Sequence, residues 1–397
     1  MNWAAPHIAP RALAATLRRQ AGSFPVITLT GPRQSGKSTL ARQLFAHLPY
    51  VSLENPAELA FAHDDPRGFL ARFEGGAVFD EAQRWPDLFS WLQGMVDEHG
   101  APGRFVLTGS QQFGLLAGVT QSLAGRAAVA QLLPFSLAET TAAGWPTPAL
   151  DALMLRGGYP ALCARSATAE QCADWFASYV ATYVERDVRQ VLRVQELATF
   201  QRFVRLCAAR TGQQLNLSAL AGETGVSEGT ARAWLSVLEN SYLVHRLAPY
   251  HRNFGKRLVK SPKLYFLDTG LACWLLGIDT PELLALHPMR GALFETWVVA
   301  EFVKNRFNAG RPAALYYWRD NNGNEADLLF EVGGQVQPVE IKSGRTVTID
   351  YLRAAGKAGR IAGEESLAPW LIHGGDESYE RSGVQVMSWR LLATAGS

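Results

Sequence analysis

Gly31-Pro32-Arg33-Gln34-Ser35-Gly36-Lys37-Ser38 decides the fold of the N-terminal part of this 397-residue chain. The octapeptide matches the pattern G-x-x-x-x-G-K-[ST], and it stands between an apolar run at 26–29 and a helical pattern at 39–48. In this context the glycines let backbone N–H groups curl around phosphate oxygens, and the N-terminus of the helix adds its positive dipole. The stretch therefore predicts a phosphate-binding loop, and with it a nucleotide site, at the end of a strand.

The loop residues have separate expected roles. Lys37 would reach the β- and γ-phosphates of a nucleotide, and the hydroxyl of Ser38 would take a position on Mg²⁺. The pattern therefore predicts ATP and Mg²⁺ as cofactors. An incidental glycine-rich turn is the alternative, and a second motif downstream disfavours it. The residues expected at the nucleotide are Gly31, Pro32, Arg33, Gln34, Ser35, Gly36, Lys37, Ser38 and Thr39.

The second motif is the apolar run Ala77-Val78-Phe79, which ends in two carboxylates, Asp80 and Glu81. A strand that delivers a metal carboxylate and a neighbouring base is the expected partner of a phosphate-binding loop. Asp80 would hold Mg²⁺ directly or through water, and Glu81 would orient and deprotonate the attacking water. Two adjacent carboxylates favour hydrolysis of ATP over binding alone, and they disfavour a small-molecule kinase.

Two further positions could complete this site. The apolar run at 105–107 is followed by Thr108-Gly109-Ser110, and we expect Thr108, more than Ser110, to place a polar group beside the γ-phosphate. A plain strand-ending turn is the alternative. Arg126 could supply positive charge to the transition state, from the same chain or from a neighbouring subunit, although a surface arginine before a strand is common.

The composition indicates a globular protein. Hydrophobic residues make up 48% and charged residues 19% of the chain, which is enough apolar material for sizeable cores and excludes a disordered chain. Lys and Arg number 38 against 36 Asp and Glu, which argues against a wholly basic nucleic-acid coat. No 18 apolar residues run unbroken, so we expect a cytoplasmic protein without a membrane span. The cysteines are too scattered for a disulfide framework or a C-x-x-C site: Cys163, Cys172, Cys207 and Cys273.

The order of patterns predicts an α/β chain with several regions. Short apolar runs alternate with helix-length segments between Phe24 and Leu133, which is typical of a parallel sheet with crossover helices. A Gly- and Pro-rich break at 144–148 then precedes a helical stretch. We expect an N-terminal domain at 1–145, a helical connector at 149–210, a winged-helix-like region at 211–267 and a second α/β domain at 291–397. The expected strands of the first domain are 26–29, 50–53, 77–79, 105–107 and 127–133.

The middle region has a helix-turn-helix pattern. A helix from Leu215 is expected to turn at Gly225, and a second helix capped by Ser227 follows. Runs at 242–247 and 263–267 could form the strands of a wing, joined by a basic connection at 251–257. Residues 185–263 contain 13 Lys and Arg against 6 Asp and Glu, in a chain whose net charge is only +2. The concentrated charge favours DNA contact, although such modules also serve as lids or protein contacts.

The C-terminal region carries two carboxylates and a lysine with the spacing D-x12-E-x-K, formed by Asp327, Glu340 and Lys342. This is the spacing of the restriction-endonuclease-like fold. Residues 340 and 342 share one face of a strand, so Glu340 could hold Mg²⁺ beside Asp327 while Lys342 orients the attacking water. Glu295, or less favourably Glu301, could add a carboxylate from the preceding helix. The alternative is an antiparallel pair of strands with ordinary edge charges.

Taken together, several segments resemble a family of prokaryotic AAA-type ATPases whose C-terminal half is a domain of unknown function. The resemblance implies an AAA-like ATP-binding core with Lys37, Ser38, Asp80 and Glu81 at the nucleotide, then a winged-helix region and a restriction-endonuclease-like end. It also implies a homo-oligomer, with a ring as one arrangement. Phe79 departs from the family's usual aliphatic residue before Asp80. The segments that carry the resemblance are 31–40, 64–70, 78–88, 105–113, 122–126, 132–139, 156–160 and 183–190.

These patterns lead to two functional hypotheses. The first is a Mg²⁺-dependent ATPase that couples hydrolysis to binding or remodelling DNA, with a C-terminal domain that contacts or cleaves the strand. The alternative is a nucleotide-controlled switch, in which ATP rearranges the C-terminal regions to recruit a protein partner without nucleic-acid chemistry. Stimulation of ATP turnover by DNA would separate the two.

Overall fold

Two β-sheets organise the protein. The computed structural model describes residues 9–110, 115, 118–119, 121–184, 197–250, 261–319, 324–362 and 366–394. The predicted basic connection at 251–257 and most of the segment 183–190 lie outside these residues. One sheet has five strands and belongs to the N-terminal domain, and the other has nine strands and belongs to the remainder of the chain. None of the described helices combines the length and the apolarity needed to cross a membrane.

The N-terminal sheet is entirely parallel, with the order β2-β3-β4-β1-β5. All five predicted strands are present, and each ends within two residues of its predicted bound: β1 Val26–Thr30, β2 Tyr50–Ser52, β3 Ala77–Asp80, β4 Phe105–Gly109 and β5 Ala127–Gln131. The described helices of this domain are α1 Leu13–Ala21, α2 Lys37–Leu44, α3 Pro56–Asp64, α4 Pro66–Ala71 and α5 Leu88–Glu98, with a short 3₁₀ turn at Ala82–Arg84.

Helices cover both faces of this sheet, which explains why its strands read as continuous apolar runs. Successive side chains of a strand point to opposite faces. Phe105 therefore packs in the cluster that includes Phe79 and Leu92 of α5, whereas Val106 packs in the cluster that includes Leu40 of α2. Strand β4 lies between β1 and β3, so the ends of all three strands meet at one edge of the sheet.

The middle region is helical, as predicted. The helix-turn-helix consists of α11 and α12, with Gly225 in the left-handed conformation between them. The side chain of Ser227 accepts a hydrogen bond from the backbone N–H of Thr230 and caps α12. The helices are α6 Leu137–Ala142, α7 Leu150–Arg156, α8 Pro160–Cys163, α9 Ala169–Tyr179, α10 Leu197–Ala208, α11 Leu217–Thr224 and α12 Glu228–Asn240, with a π-helical turn at Val180–Val184.

The second sheet has the strand order β13-β14-β12-β11-β10-β9-β7-β8-β6. Its strands are β6 Gln213–Gln214, β7 Val244–Pro249, β8 Lys263–Phe266, β9 Tyr316–Arg319, β10 Glu325–Val332, β11 Gln335–Lys342, β12 Trp370–His373, β13 Tyr379–Arg381 and β14 Val384–Ser388. The remaining helices are α13 Thr269–Leu275, α14 Pro281–Leu286, α15 Arg290–Asn308 and α16 Ile349–Ala362, and a 3₁₀ turn follows at Trp389–Ala393.

This topology joins the predicted winged-helix-like region at 211–267 to the predicted second α/β domain at 291–397 through one pair of strands. Strand β7 pairs in parallel with β9, through Ala248 with Tyr316 and Pro249 with Tyr317. Strands β7 and β8, expected as the strands of a wing, pair with each other in antiparallel orientation, and β7 joins them to the C-terminal sheet. The physical reason is that an exposed strand edge presents unpaired backbone groups, and β9 satisfies those of β7.

Candidate functional site

The predicted phosphate-binding loop lies between β1 and α2, which begins at Lys37. Gly31 and Gly36 have backbone φ angles of 149° and 94°, which residues other than glycine rarely adopt. A Cβ atom at Gly31 would also overlap the carbonyl oxygen of Leu132. The ammonium of Lys37 is buried and donates to the carbonyl oxygens of Gly31 and Pro32, at 3.0 and 2.8 Å. The loop thus has the curled backbone that the pattern predicts.

Asp80 lies at the end of β3, and three hydroxyl groups donate to its carboxylate. Ser38 Oγ lies 3.0 and 3.1 Å from the two oxygens, and the Tyr50 hydroxyl lies 2.5 Å from Oδ2. Thr108, at the end of β4, donates to Oδ1. The structure therefore brings together Ser38, Asp80 and Thr108. A hydroxyl and a carboxylate are the hard oxygen ligands that Mg²⁺ prefers, so these residues fit the predicted ion.

Tyr50 is a site residue that the motifs did not indicate. It opens β2, next to β3, with Tyr50 in register with Val78. Burial and the hydrogen bond to Asp80 raise the pKa of Tyr50 to about 12, against the opposing effect of Arg42, whose guanidinium lies 3.7 Å from the centre of the tyrosine ring. Tyr50 is therefore protonated at neutral pH and acts as a donor to Asp80. A single tyrosine at the start of an apolar strand carries no sequence signal for this role.

Glu81, the predicted base, adopts a left-handed backbone conformation with φ 55° and ψ 45°. Such a conformation costs a non-glycine residue roughly 1–3 kcal/mol and is concentrated at functional sites. Ser110 Oγ donates to Glu81 Oε2 at 3.1 Å, and the Gln83 side chain donates to the same oxygen. At the end of β4, Thr108 therefore contacts Asp80, the predicted metal carboxylate, and Ser110 contacts Glu81, the predicted base.

Arg126 and the phosphate-binding loop lie at opposite ends of the parallel strands. The backbone carbonyl of Arg126 accepts from Val26 at the start of β1, whereas the loop follows Thr30 at the end of the same strand. A five-residue strand spans about 13 Å between these positions. The guanidinium binds both carboxylate oxygens of Asp97, at 2.5 and 2.9 Å. This position gives no support to action of Arg126 on a nucleotide of its own chain, and action from a neighbouring subunit stays a prediction.

A buried ion pair between Arg11 and Glu139 contacts the phosphate-binding loop. The guanidinium of Arg11 donates to the carbonyl oxygens of Ser35 and Leu133, at 2.8 and 2.6 Å, and to Glu139 at 2.9 Å. Both side chains of the pair are almost fully buried. Glu139 also belongs to the capping box of α6 with Ser136. Arg11 therefore fixes the middle of the phosphate-binding loop, although nothing in its sequence context distinguishes it from other arginines.

The structure brings Asp327, Glu340 and Lys342 together on the neighbouring strands β10 and β11. The ammonium of Lys342 lies 2.5 Å from Glu340 Oε1 and 3.7 Å from Asp327 Oδ2. The backbone N–H of Ile341 donates to Asp327 Oδ2 at 2.8 Å. Burial, and then the charge of Asp327, raise the pKa of Glu340 to about 8, although Lys342 opposes this shift. Oε2 of Glu340 is buried without a hydrogen-bond partner among the described residues.

Glu295 does not complete this set. Its Oε1 accepts from the ammonium of Lys263 at 2.9 Å and from the hydroxyl of Tyr265 at 2.5 Å, and Lys263 also pairs with Glu325. In the described part of the chain, no three Asp, Glu, His or Cys side chains are grouped so that they could hold a metal ion. The predicted three-carboxylate ligand set is therefore not assembled, because Glu295 belongs to an ion pair with β8.

Glu301, the less favoured candidate, lies on another face of α15. Glu301 lies six positions after Glu295. At 100° per residue the helix turns through about 600° between them, so the two side chains point about 120° apart. Glu301 accepts from the backbone N–H of Leu137 at 2.7 Å and pairs with Lys304 at 2.9 Å. It therefore attaches α15 to the start of α6 and takes no part in the C-terminal cluster.

The fold and the loop geometry define a P-loop ATPase, and comparison with known proteins agrees. The AAA domain family matches residues 23–141. Domains of unknown function match the rest, DUF8612 over residues 147–282 and DUF4143 over residues 290–392.

Two relatives match this chain beyond the limits of any single domain family. The uncharacterized proteins Rv2008c of Mycobacterium tuberculosis and Mb2031c of Mycobacterium bovis are each 37% identical to this chain over 342 residues, which cover 85% of this chain and 75% of each relative. The chain belongs to the same family as these two proteins. Among solved structures, it is similar to the Walker-type ATPase PABY2304 of Pyrococcus abyssi, with 16% identity, a TM-score of 0.44, and coverage of 66% of this chain and 94% of that one.

Proposed function

We propose that this protein is a Mg²⁺-dependent ATP hydrolase whose turnover is coupled to DNA. One observation carries the hydrolase assignment: Ser38, Asp80 and Glu81 converge at the edge of the sheet where the phosphate-binding loop begins. The N–H groups of the loop and Lys37 would hold the phosphates of ATP, and Ser38 with Asp80 would hold Mg²⁺. When bound, the ion neutralises charge on the β- and γ-phosphates.

Glu81 is the residue that distinguishes hydrolysis from binding. Its carboxylate accepts a proton from the attacking water while the water oxygen bonds to the γ-phosphorus and the bond from the β,γ-bridging oxygen to that phosphorus breaks. The products are ADP and inorganic phosphate. Ser110 holds the Glu81 carboxylate in one position, and positioning is the main contribution a protein makes to phosphoryl transfer.

Steady-state hydrolysis of MgATP by the purified protein tests this assignment. Lys37→Ala is expected to abolish binding and turnover, whereas Glu81→Gln is expected to retain ATP binding and to lower turnover at least about a hundredfold, in the range typical of a lost general base. Lys357→Ala and Glu98→Gln, at exposed positions outside the site, serve as matched controls. Full turnover by Glu81→Gln would refute the role of the base.

Coupling to DNA is supported by the middle region. It contains the helix-turn-helix α11–α12, and residues 185–263 have seven more positive than negative charges. Arg232 on α12 pairs with Glu228 at 2.7 Å, so we assign DNA contact to the basic region as a whole and not to α12 alone. Phosphate contacts of this kind weaken as salt rises, which a titration between 50 and 200 mM salt would detect.

Phosphodiester cleavage is a second candidate function, at Asp327, Glu340 and Lys342. The observation that favours it is a buried oxygen of Glu340 that has no hydrogen-bond partner in the described part of the chain, beside the Asp327 carboxylate and the Lys342 ammonium. Two such carboxylates fit Mg²⁺, and Lys342 would orient the attacking water. The test is Mg²⁺-dependent cleavage of DNA by the wild type, by Asp327→Asn and by Asp350→Asn, an exposed control on α16. Equal cleavage by both variants, or none by the wild type, would refute this activity.

A further inference from the structure

A buried hydrogen bond joins the phosphate-binding loop to the middle region. The Tyr242 hydroxyl lies 2.5 Å from Oγ1 of Thr30, and both residues are buried. Thr30 is the last residue of β1 and directly precedes Gly31. Tyr242 follows two residues after the end of α12, the second helix of the helix-turn-helix. The contact therefore connects the root of the nucleotide site to an element 212 residues away in sequence.

We assign Tyr242 as the donor in this hydrogen bond. Oγ1 of Thr30 also lies 3.3 Å from the carbonyl oxygen of Ala130, which can only accept. Thr30 has a single hydroxyl proton, and donating it to Ala130 leaves the threonine oxygen as acceptor for the tyrosine. Replacing Tyr242 by phenylalanine would therefore remove the contact and leave the bond between Thr30 and Ala130 intact.

The backbone of Tyr242 is in a conformation that tyrosine rarely adopts, with φ 56°. The N–H groups of Tyr242 and Leu243 donate to the carbonyl oxygens of Glu239 and Leu238, each at 3.0 Å, and so close the end of α12. Glycine is the usual residue at such a helix end. Glycine has no side chain to reach Thr30, so the tyrosine is what makes this contact possible.

The surroundings favour transmission of movement along this contact. The aromatic rings of Phe200 and Phe203 pack edge-on against Trp234 of α12, so α12 is held firmly by α10. At the other end, a Cβ atom at Gly31 would overlap the carbonyl oxygen of Leu132, so the start of the loop has little room to move independently. A displacement of the end of α12 would therefore displace Thr30 and the loop that follows it.

We propose that Tyr242 is a positioning residue for ATP hydrolysis, which links the end of α12 to the start of the phosphate-binding loop. The inference rests on the proposed hydrolase activity and adds a residue that positions its loop. Tyr242 holds the first residue of the phosphate-binding loop through Thr30, and it does not contact the phosphates.

A double-mutant cycle in the full chain tests this role. Tyr242→Phe, Thr30→Val and the double variant are compared with the wild type by kcat and KM for ATP, by calorimetric affinity for MgATP, and by the midpoint of urea unfolding. Loss of one hydrogen bond corresponds to about a fivefold decrease in kcat/KM. The double variant is expected to be no worse than the more affected single variant, because both substitutions remove the same contact.

Tyr317→Phe is the matched control, since Tyr317 is a buried tyrosine whose hydroxyl donates to the carbonyl oxygen of Ser261 at 2.5 Å. Its kcat/KM should stay within about twofold of the wild type even if its unfolding midpoint decreases. Unchanged affinity and turnover in Tyr242→Phe, or decreases that multiply in the double variant, would overturn the inference. Absence of hydrolysis in the wild type would instead refute the proposed function, and the MgATP affinities would then decide the role of Tyr242.

Discussion

At the scale of single residues, the nucleotide site depends on hydroxyl groups as much as on its two carboxylates. Ser38, Tyr50 and Thr108 all donate to Asp80, and Ser110 donates to Glu81. Hydrogen bonds to a carboxylate fix its orientation. The two acids therefore have different hydrogen-bond donors, which suits one to hold an ion and the other to take a proton.

Ser110→Ala tests this division of roles. We expect kcat for ATP hydrolysis to decrease about three- to tenfold, because Glu81 keeps its contact with Gln83 but loses the hydrogen bond from Ser110. The KM for ATP should stay within about twofold, since Ser110 contacts Glu81, which is proposed to activate water and not to bind the nucleotide. Ser90→Ala on α5, which removes a hydroxyl that contacts the hydroxyl of Ser122 at 3.3 Å, is the control in the same steady-state assay. An increase in KM without loss of kcat would contradict this role.

Arg11→Met tests how much the buried ion pair between Arg11 and Glu139 stabilises the N-terminal domain. The substitution leaves the buried carboxylate of Glu139 without its ion-pair partner, and breaking a buried pair on one side typically costs about 3–5 kcal/mol. We therefore expect a large decrease in the urea midpoint for unfolding of the N-terminal domain. Adding Glu139→Gln should recover part of the loss, because the uncompensated charge is removed. A decrease that the second substitution deepens would argue against this explanation.

At the scale of elements, local patterns predicted the N-terminal sheet well and the C-terminal sheet less well. The five parallel strands are apolar runs separated by helices, and the loop and Asp80-Glu81 follow directly from their ends. The pairing of β7 with β9 joins residues such as Ala248 and Tyr316, which are far apart in sequence. Nothing local in either strand encodes that pairing.

The same limit explains the site residues that the motifs did not indicate. Tyr50, Arg11 and Tyr242 each reach the nucleotide site through tertiary contacts, and each occurs singly in an unremarkable context. Arg126 was predicted from its place before a strand and Glu295 from its place on the preceding helix. The end of the strand at which Arg126 lies and the ion pair of Glu295 with Lys263 are tertiary features that decide where each side chain lies. A motif with fixed spacing predicts a site correctly because its geometry is local. A single residue carries no information about which distant residues its side chain will contact.

Truncation tests whether the nine-stranded sheet is one unit. A chain that ends at residue 288 would lack β9–β14, exposing the edge of β7 and leaving the buried ammonium of Lys263 without Glu295 and Glu325. We expect this variant to aggregate or to lose the folded signature of the middle region in circular dichroism and size-exclusion chromatography. Removing only residues 395–397 is the control. A monomeric truncated protein that keeps the helical signal of the middle region would show that the region 211–267 folds independently.

At the scale of the whole molecule, the position of Arg126 allows a test of whether two subunits share one nucleotide site. Because it lies at the sheet edge away from its own loop and is partly exposed beside Asp97, only a neighbouring subunit could present it to a nucleotide. If it acts between subunits, Arg126→Ala and Glu81→Gln should each be inactive alone, and a mixture of the two should regain a fraction of wild-type turnover. Lack of recovery in mixed oligomers, or full activity of Arg126→Ala, would refute an action in trans.

The most direct test of the central claim is steady-state ATP hydrolysis by the full chain with and without single-stranded, duplex and branched DNA. We expect at least one DNA to increase turnover, the increase to shrink as salt rises, and Lys37→Ala to be inactive under every condition. Turnover that is the same with every DNA, in a protein that still binds ATP, would contradict coupling to DNA. That result would favour the nucleotide-controlled switch that recruits a protein partner.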